Sequence, residues 1–161
     1  VIVADAHQYL LDHYDDGWDF IWSSPPCPTH SRLVLSNVGK NNYNFKYPDM
    51  SLYQEILILR TFSKSKYCIE NVITYYDPLI EPRHISNHYF WSNFYISDLD
   101  IGNKGHRDGD IKSLQELTGF DLTGYDIPDK RKLLRNCVNP KLGKHVFDCA
   151  FKVKQQTLFD G

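Results

Sequence analysis

Cys27 stands in the run Ser23-Ser24-Pro25-Pro26-Cys27-Pro28, directly after the apolar stretch from Trp18 to Trp22. A cysteine that works as a nucleophile needs access, a fixed direction and a lowered thiol pKa. Prolines on both sides restrict the backbone and so fix the direction. Adjacent prolines are expected at only roughly one position in 400 from average usage, which weighs against the bland alternative of a small buried thiol. His30, three residues on, opens two other chemistries: a thiol–imidazole dyad for acyl transfer, or a zinc ligand. Dyad partners meet in space rather than at a local spacing. Zinc needs about four ligands, and no second Cys/His pair at ligand spacing is visible, so no metal is expected. Glu70 follows the apolar run Tyr67 to Ile69, and a carboxylate there is costly unless it has a partner or a role. Asn71 beside it can orient a loop through backbone hydrogen bonds. Asp5, at the end of Val1-Ile2-Val3-Ala4, has the same standing: acidic, at a strand end, uninformative alone.

The elements that must position these residues can be read from periodicity and breakers. Val1 to Ala4 reads as a short buried strand, Ala6 to His13 as a helix, and Trp18 to Trp22 as a second strand broken by the prolines. Asn37 to Asp49 is polar and reads as a mobile loop. Ser51 is the expected N-cap of a helix through Ser63, with Leu52, Ile56, Leu59 and Phe62 at core spacing. Tyr67 to Ile69 is a third strand, and the aromatic stretch from Tyr89 to Ile96 a fourth. Gly102 to Gly109 reads as a charged loop. Ile111 to Leu117 reads as a helix closed by Gly119, and Lys130 to Leu134 and Leu142 to Phe151 as two more, split by Asn139-Pro140. Strand–helix–strand–loop–helix–strand suggests a parallel sheet of α/β type. Ligands bind at the carboxyl ends of the strands in such sheets, which is where Asp5, the Pro-Pro-Cys turn and Glu70 would arrive.

Composition sets the bounds. The 161 residues fit one domain. A hydrophobic content of 42% with 14% aromatics argues against a disordered chain. The four cysteines, Cys27, Cys68, Cys137 and Cys149, share no CxxC spacing, and this suggests a reducing, cytoplasmic setting. No apolar run of about 18 residues occurs, so no membrane partner is expected. The net charge of −2 gives no global support for nucleic acid. Local charge does: Lys130, Arg131, Lys132, Arg135, Lys141 and Lys144 occur without an acidic residue among them.

Taken in order, Pro25-Pro26-Cys27, then Glu70-Asn71-Val72, then Arg135-Asn136-Cys137-Val138-Asn139-Pro140 resembles the cytosine-5 DNA methyltransferase family. The likeness runs from Val1 to Phe151 and is greatest to short phage-type and metagenomic members, which carry an aromatic stretch like His88 to Phe94. It implies an α/β, Rossmann-like S-adenosylmethionine-dependent methyltransferase fold as a single catalytic domain, with a small recognition insert at about Ser97 to Ile127. It implies a cytosine flipped out of double-stranded DNA in a bacterial or phage-infected cytoplasm. Cys27 would add to carbon 6, Glu70 would hold the ring edge with Asn71 beside it, and carbon 5 would take a methyl group from the cofactor S-adenosylmethionine. Asp5, Ala6 and Pro25 would line the cofactor's adenine side, and Asn136 and Val138 its methionine side. Pro26, Ser31, Val72, Arg83 and Arg135 would face the DNA, with Ser31 opening the mobile catalytic loop.

The sequence departs from the family in three places. The Phe-x-Gly-x-Gly loop that opens the family's domain does not precede Val1. By the size of a βαβ unit, that is roughly 45 residues. The expectation is therefore an N-terminally incomplete domain, with an upstream half or a second chain completing the cofactor site. The alternative is a catalytically inactive module that binds DNA or a partner. No Gln-x-Arg-x-Arg element is recognisable, Arg83 being the sole arginine in its region. Pro28 also replaces the glutamine that usually follows the cysteine.

Overall fold

The computed structural model describes residues 1–38, 47–101 and 109–152. The expected loops of Asn37 to Asp49 and Gly102 to Gly109 lie largely outside them. The chain forms two compact units, Val1–Ile96 and Ser97–Gly161, and each is described by itself.

In the first unit the elements run α1 (Ala6–His13), β1 (Phe20–Ser23), α2 (Leu33–Asn37), α3 (Ser51–Phe62), β2 (Lys66–Val72), β3 (Arg83–Ile85) and β4 (His88–Ser92). The four strands make one sheet in the order β1-β2-β4-β3. β1 lies parallel to β2, with Phe20 opposite Lys66 and Ser23 opposite Ile69. A parallel pair needs a crossover, and α3 supplies it. The other two pairings are antiparallel. The sheet is therefore mixed, where the order of elements had suggested a parallel one. The reason is local. Only Ser86 and Asn87 separate β3 from β4, and a two-residue connection can join only antiparallel strands.

Side chains alternate between the two faces of the sheet. One face carries Tyr67, Ile69 and Trp91 against Leu52, Tyr53, Ile56 and Leu59 of α3, and this is the core cluster of the unit. The apolar positions of α3 recur at three- and four-residue intervals, which is why one side of that helix fits the sheet. Leu10 and Tyr14, at the end of α1, pack against the same cluster. The other face carries Trp22, Cys68, Glu70, His88 and Phe90, as the strand registers dictate.

Several boundaries differ from the sequence reading. Val1 to Ala4 forms no strand, and Val1, Ile2 and Val3 are exposed. A strand needs a ladder partner, and none of the described strands pairs with these residues. Asp5 is accordingly no strand end. Its carboxylate accepts the Gln8 backbone N–H at 2.8 Å and caps α1. Ser51 is the first residue of α3 and not its N-cap, because Met50 holds that position and the Asp49 carboxylate accepts the Ser51 N–H at 3.0 Å. β2 does not stop at Ile69 but runs on through Glu70 and Asn71, whose backbones pair with Phe90 and Tyr89. β4 ends at Ser92, short of Ile96. There the Asn93 side chain accepts from Tyr67 N–H and donates to the Ser65 carbonyl, turning the chain out of the ladder.

The second unit holds α4 (Ile111–Thr118), α5 (Lys130–Arg135) and α6 (Pro140–Phe151). Each is capped as its sequence suggests: Asp110 on α4, Asp129 on α5, and Asn139 with Pro140 in the first turn of α6. Gly119 closes α4 at φ 74°, the left-handed conformation glycine tolerates best. Leu114, Leu134, Leu142 and Val146 are fully buried, and α4 packs on α5.

Candidate active site

The site is built on the carboxyl end of the parallel pair β1 and β2. β1 ends at Ser23, whose hydroxyl donates to Glu55 Oε2 at 2.6 Å. The other Glu55 oxygen accepts from His7 Nδ1 at 2.9 Å. A buried carboxylate thus ties α3, the first turn of α1 and the end of β1 together. Next in the chain, Ser24 Oγ accepts the Trp22 indole N–H at 2.8 Å and its side chain also bonds the Glu70 carboxylate. The Pro25 carbonyl then accepts from Asn71 Nδ2 at 3.0 Å, a bond buried at both ends. The Cys27 carbonyl accepts the N–H groups of His30 at 3.0 Å and Ser31 at 3.1 Å, which closes a tight turn. The prolines and these bonds hold Cys27 from both sides.

Glu70 sits inside β2, only 7% exposed. Burial pushes its carboxyl above the usual range, and the Ser24 hydrogen bond pulls the other way. Cys27 is half-buried, and its thiol is pushed up as well, first by burial and then by the negative charge of Glu70. An ionised Glu70 makes the Cys27 thiolate harder to form. The sequence had called for a lowered thiol pKa. In the free protein the opposite holds, through burial first and the charge of Glu70 second. His88 on β4 brings Nε2 to 3.6 Å from Glu70 Oε1.

Asn71 links β2 to the proline turn. Its Oδ1 accepts the Val72 N–H at 2.9 Å while its Nδ2 holds Pro25. Pro25 is buried, Pro26 exposed and Val72 half-buried. Ser31 is buried and bridges to Thr74, with its hydroxyl accepting the Leu33 N–H at 3.2 Å, so it braces the base of its loop. Asp5 and Ala6 are exposed at the start of α1. Arg83 lies apart, on edge strand β3. Its guanidinium sits 5.5 Å from the Tyr95 ring centre, beside a cavity of about 330 Å³ that Arg60, Tyr67, Glu81 and Trp91 also line. Arg135, Asn136 and Val138 belong to the second unit, the first two exposed and Val138 half-buried.

His30 offers the acyl-transfer reading no support. It is fully buried, its Nδ1 is 2.6 Å from the Tyr76 hydroxyl, and burial lowers its pKa. Among the described residues no group of three His, Cys, Asp or Glu side chains could hold a metal ion, and no helix is long and apolar enough to cross a membrane. All four thiols are free.

Two functional candidates escaped the sequence reading. Glu55 looks like one more polar residue in an amphipathic helix, yet it falls at the core-facing position between Leu52 and Leu59. A charge at a core position was the available signal. His88 opens an aromatic strand, and only the strand register shows that it faces Glu70. Compared with protein-family models, curated proteins and solved structures, the chain matches none.

Proposed function

We propose that this chain carries the nucleophile and base-gripping group of a cytosine-5 DNA methyltransferase. The observation that supports the reading is the Asn71 Nδ2 bond to the Pro25 carbonyl, which ties the proline-stiffened turn carrying Cys27 to the strand carrying the buried Glu70. A carboxyl of raised pKa can hold a proton for the ring nitrogen N3 of a flipped cytosine. While a proton is held between Glu70 and N3 the pair carries no net negative charge, whereas an ionised Glu70 alone opposes the Cys27 thiolate. The two pKa shifts then work together: gripping the base makes the nucleophile easier to ionise.

The Cys27 thiolate forms a bond to carbon 6, and the electron pair of the 5,6 double bond moves towards carbon 5 while Glu70 hydrogen-bonds N3 and the exocyclic amine. Carbon 5 becomes nucleophilic. S-adenosylmethionine, when bound, supplies the methyl group. Asp5, Ala6 and Pro25 fit one side of such a site, since the His7–Glu55–Ser23 bonds bring the start of α1 to the end of β1. Loss of the carbon 5 proton to water re-forms the double bond, expels Cys27 and returns the N3 proton to Glu70. The target must leave the duplex first, because stacking hides carbon 6.

The test needs no cofactor. Addition of Cys27 makes carbon 5 exchange its hydrogen with water, so DNA labelled with tritium at cytosine carbon 5 should release label into solvent on incubation with the full chain. Cys27→Ser should abolish release and Glu70→Gln should cut it by about a hundredfold or more. Release unchanged in Cys27→Ser would refute the nucleophile. The raised thiol pKa favours a second reading, a non-catalytic module on the same frame. It predicts DNA binding with no release under any condition, and no methyl transfer from labelled S-adenosylmethionine.

A further inference from the structure

His88 is the first residue of β4, directly after the two-residue turn Ser86-Asn87. Ser86 takes φ 56°, and its carbonyl accepts from His84 Nε2 at 2.9 Å, so the place where β4 begins is fixed. The register then sets Val72 opposite His88 and Glu70 opposite Phe90. His88 and Glu70 are diagonal neighbours on one face of an antiparallel pair, a separation that long side chains span. Nε2 and Oε1 stand 3.6 Å apart, with side-chain exposures of 27% and 9%. That is too long for a hydrogen bond but close enough for charge to act strongly where little water intervenes.

We propose that His88 is a positioning residue for Glu70, its imidazolium holding the carboxylate in the charged form and its neutral imidazole releasing Glu70 to take up a proton. The functional meaning rests on reading Glu70 as the base-gripping group; the electrostatic pairing does not.

Among the described residues, His88 is the basic side chain that comes within 4 Å of the Glu70 carboxylate. From the β1 turn, Ser24 hydrogen-bonds it, and its charge raises the Cys27 thiol pKa; from β2, Cys68 lies on the same face. From β3, Arg83 lies across Phe90, two strands away. Both thiols are pushed above their ordinary range by burial, so they stay neutral. A histidine is the side chain whose ordinary titration falls between pH 5 and 8. With His88 protonated, Glu70 is favoured as a carboxylate; with His88 neutral, Glu70 holds a proton more tightly. Glu70 is thus best able to donate to N3 when His88 is neutral.

The full chain can be followed by carbon-13 NMR of its Glu carboxyls, with Glu70→Gln identifying the Glu70 signal, and by imidazole NMR of His88. His88→Gln should move the Glu70 midpoint upward by about one pH unit, the effect of losing an opposite charge at this range. His88→Arg should keep it at or below the wild-type position. Coupling is reciprocal, so Glu70→Gln should lower the His88 midpoint by a similar amount, and this arm decides the matter if His88→Gln does not fold. Midpoints unmoved in both arms overturn the proposal. Tritium release, measured in parallel, separates the two ideas. Intact coupling without release sinks the methyltransferase reading alone, and release without coupling sinks the His88 pairing alone.

Discussion

At the residue scale, the pair that matters is coupled by charge. Glu70 raises the Cys27 thiol pKa by its negative charge, so Glu70→Gln lowers that pKa and increases the thiolate fraction at fixed pH. Each pH unit is worth up to tenfold in thiolate. Peptide-resolved alkylation at pH 7.5 should therefore show Cys27 reacting about two- to tenfold faster in Glu70→Gln, with Cys137, in the second unit, unchanged. An equal or slower Cys27 rate would mean that Glu70 does not feel the thiol. Asn71 makes a different prediction. Asn71→Ala leaves the buried Pro25 carbonyl without its donor, a loss of about 1–3 kcal/mol readable as a fall in thermal midpoint. The same variant loosens the turn, so Cys27 alkylation should lose its dependence on Glu70. Cys27, Glu70 and Asn71 stood out in the sequence because adjacent prolines and an acid after an apolar run are unusual in type, although β2 runs on through Glu70 and Asn71. Glu55 and His88 did not, since their meaning lies in what they face, and partners 48 residues away or across a ladder leave no local mark.

At the element scale, helices were more legible than strands. α1, α4, α5 and α6 fall within a few residues of expectation, because caps such as Asp110, Asn139 and Gly119 act through bonds to the next few residues. The strand ends misled for the converse reason. Whether Glu70 ends β2 or pairs within it depends on β4, and whether Val1 to Ala4 forms a strand depends on a neighbour to pair with. The turn between β3 and β4, which makes the sheet mixed, carries no Gly and so does not announce a hairpin. Gly119 gives the cap argument a test. A Cβ there would meet no atom within 4 Å, so the cost of Gly119→Ala is conformational and not steric. At φ 74° that cost is about 1 kcal/mol, and denaturant unfolding should show the midpoint lowered with an unchanged slope. A larger loss would mean that Gly119 has a packing role the cap argument omits.

At the scale of the whole molecule, charge divides with the two units. The first carries seven Lys and Arg against ten Asp and Glu, the second eleven against ten. Cys27, Glu70 and Asn71 lie in the unit with the acidic excess. On the proposed reading, the exposed Arg131, Lys132, Arg135, Lys141 and Lys144 of the second unit are candidates for phosphate contact. On this account DNA affinity should fall steeply with salt, because each phosphate neutralised releases bound counterions. The slope of log affinity against log salt should be about 0.9 shallower for each phosphate-contacting cation removed. Arg131→Gln with Arg135→Gln should therefore lower its magnitude by about 1.8, while Cys27→Ser leaves the slope unchanged. Affinity measured by fluorescence anisotropy on an unmethylated duplex between 50 and 200 mM salt, roughly the range over which such contacts are resolved, gives the comparison. A double variant with the wild-type slope would put the phosphate contacts elsewhere and leave the basic run of α5 as a solvated helix face. A Cys27→Ser variant that altered the slope would mean that the thiol turn itself meets the backbone of DNA, which its half-buried setting argues against.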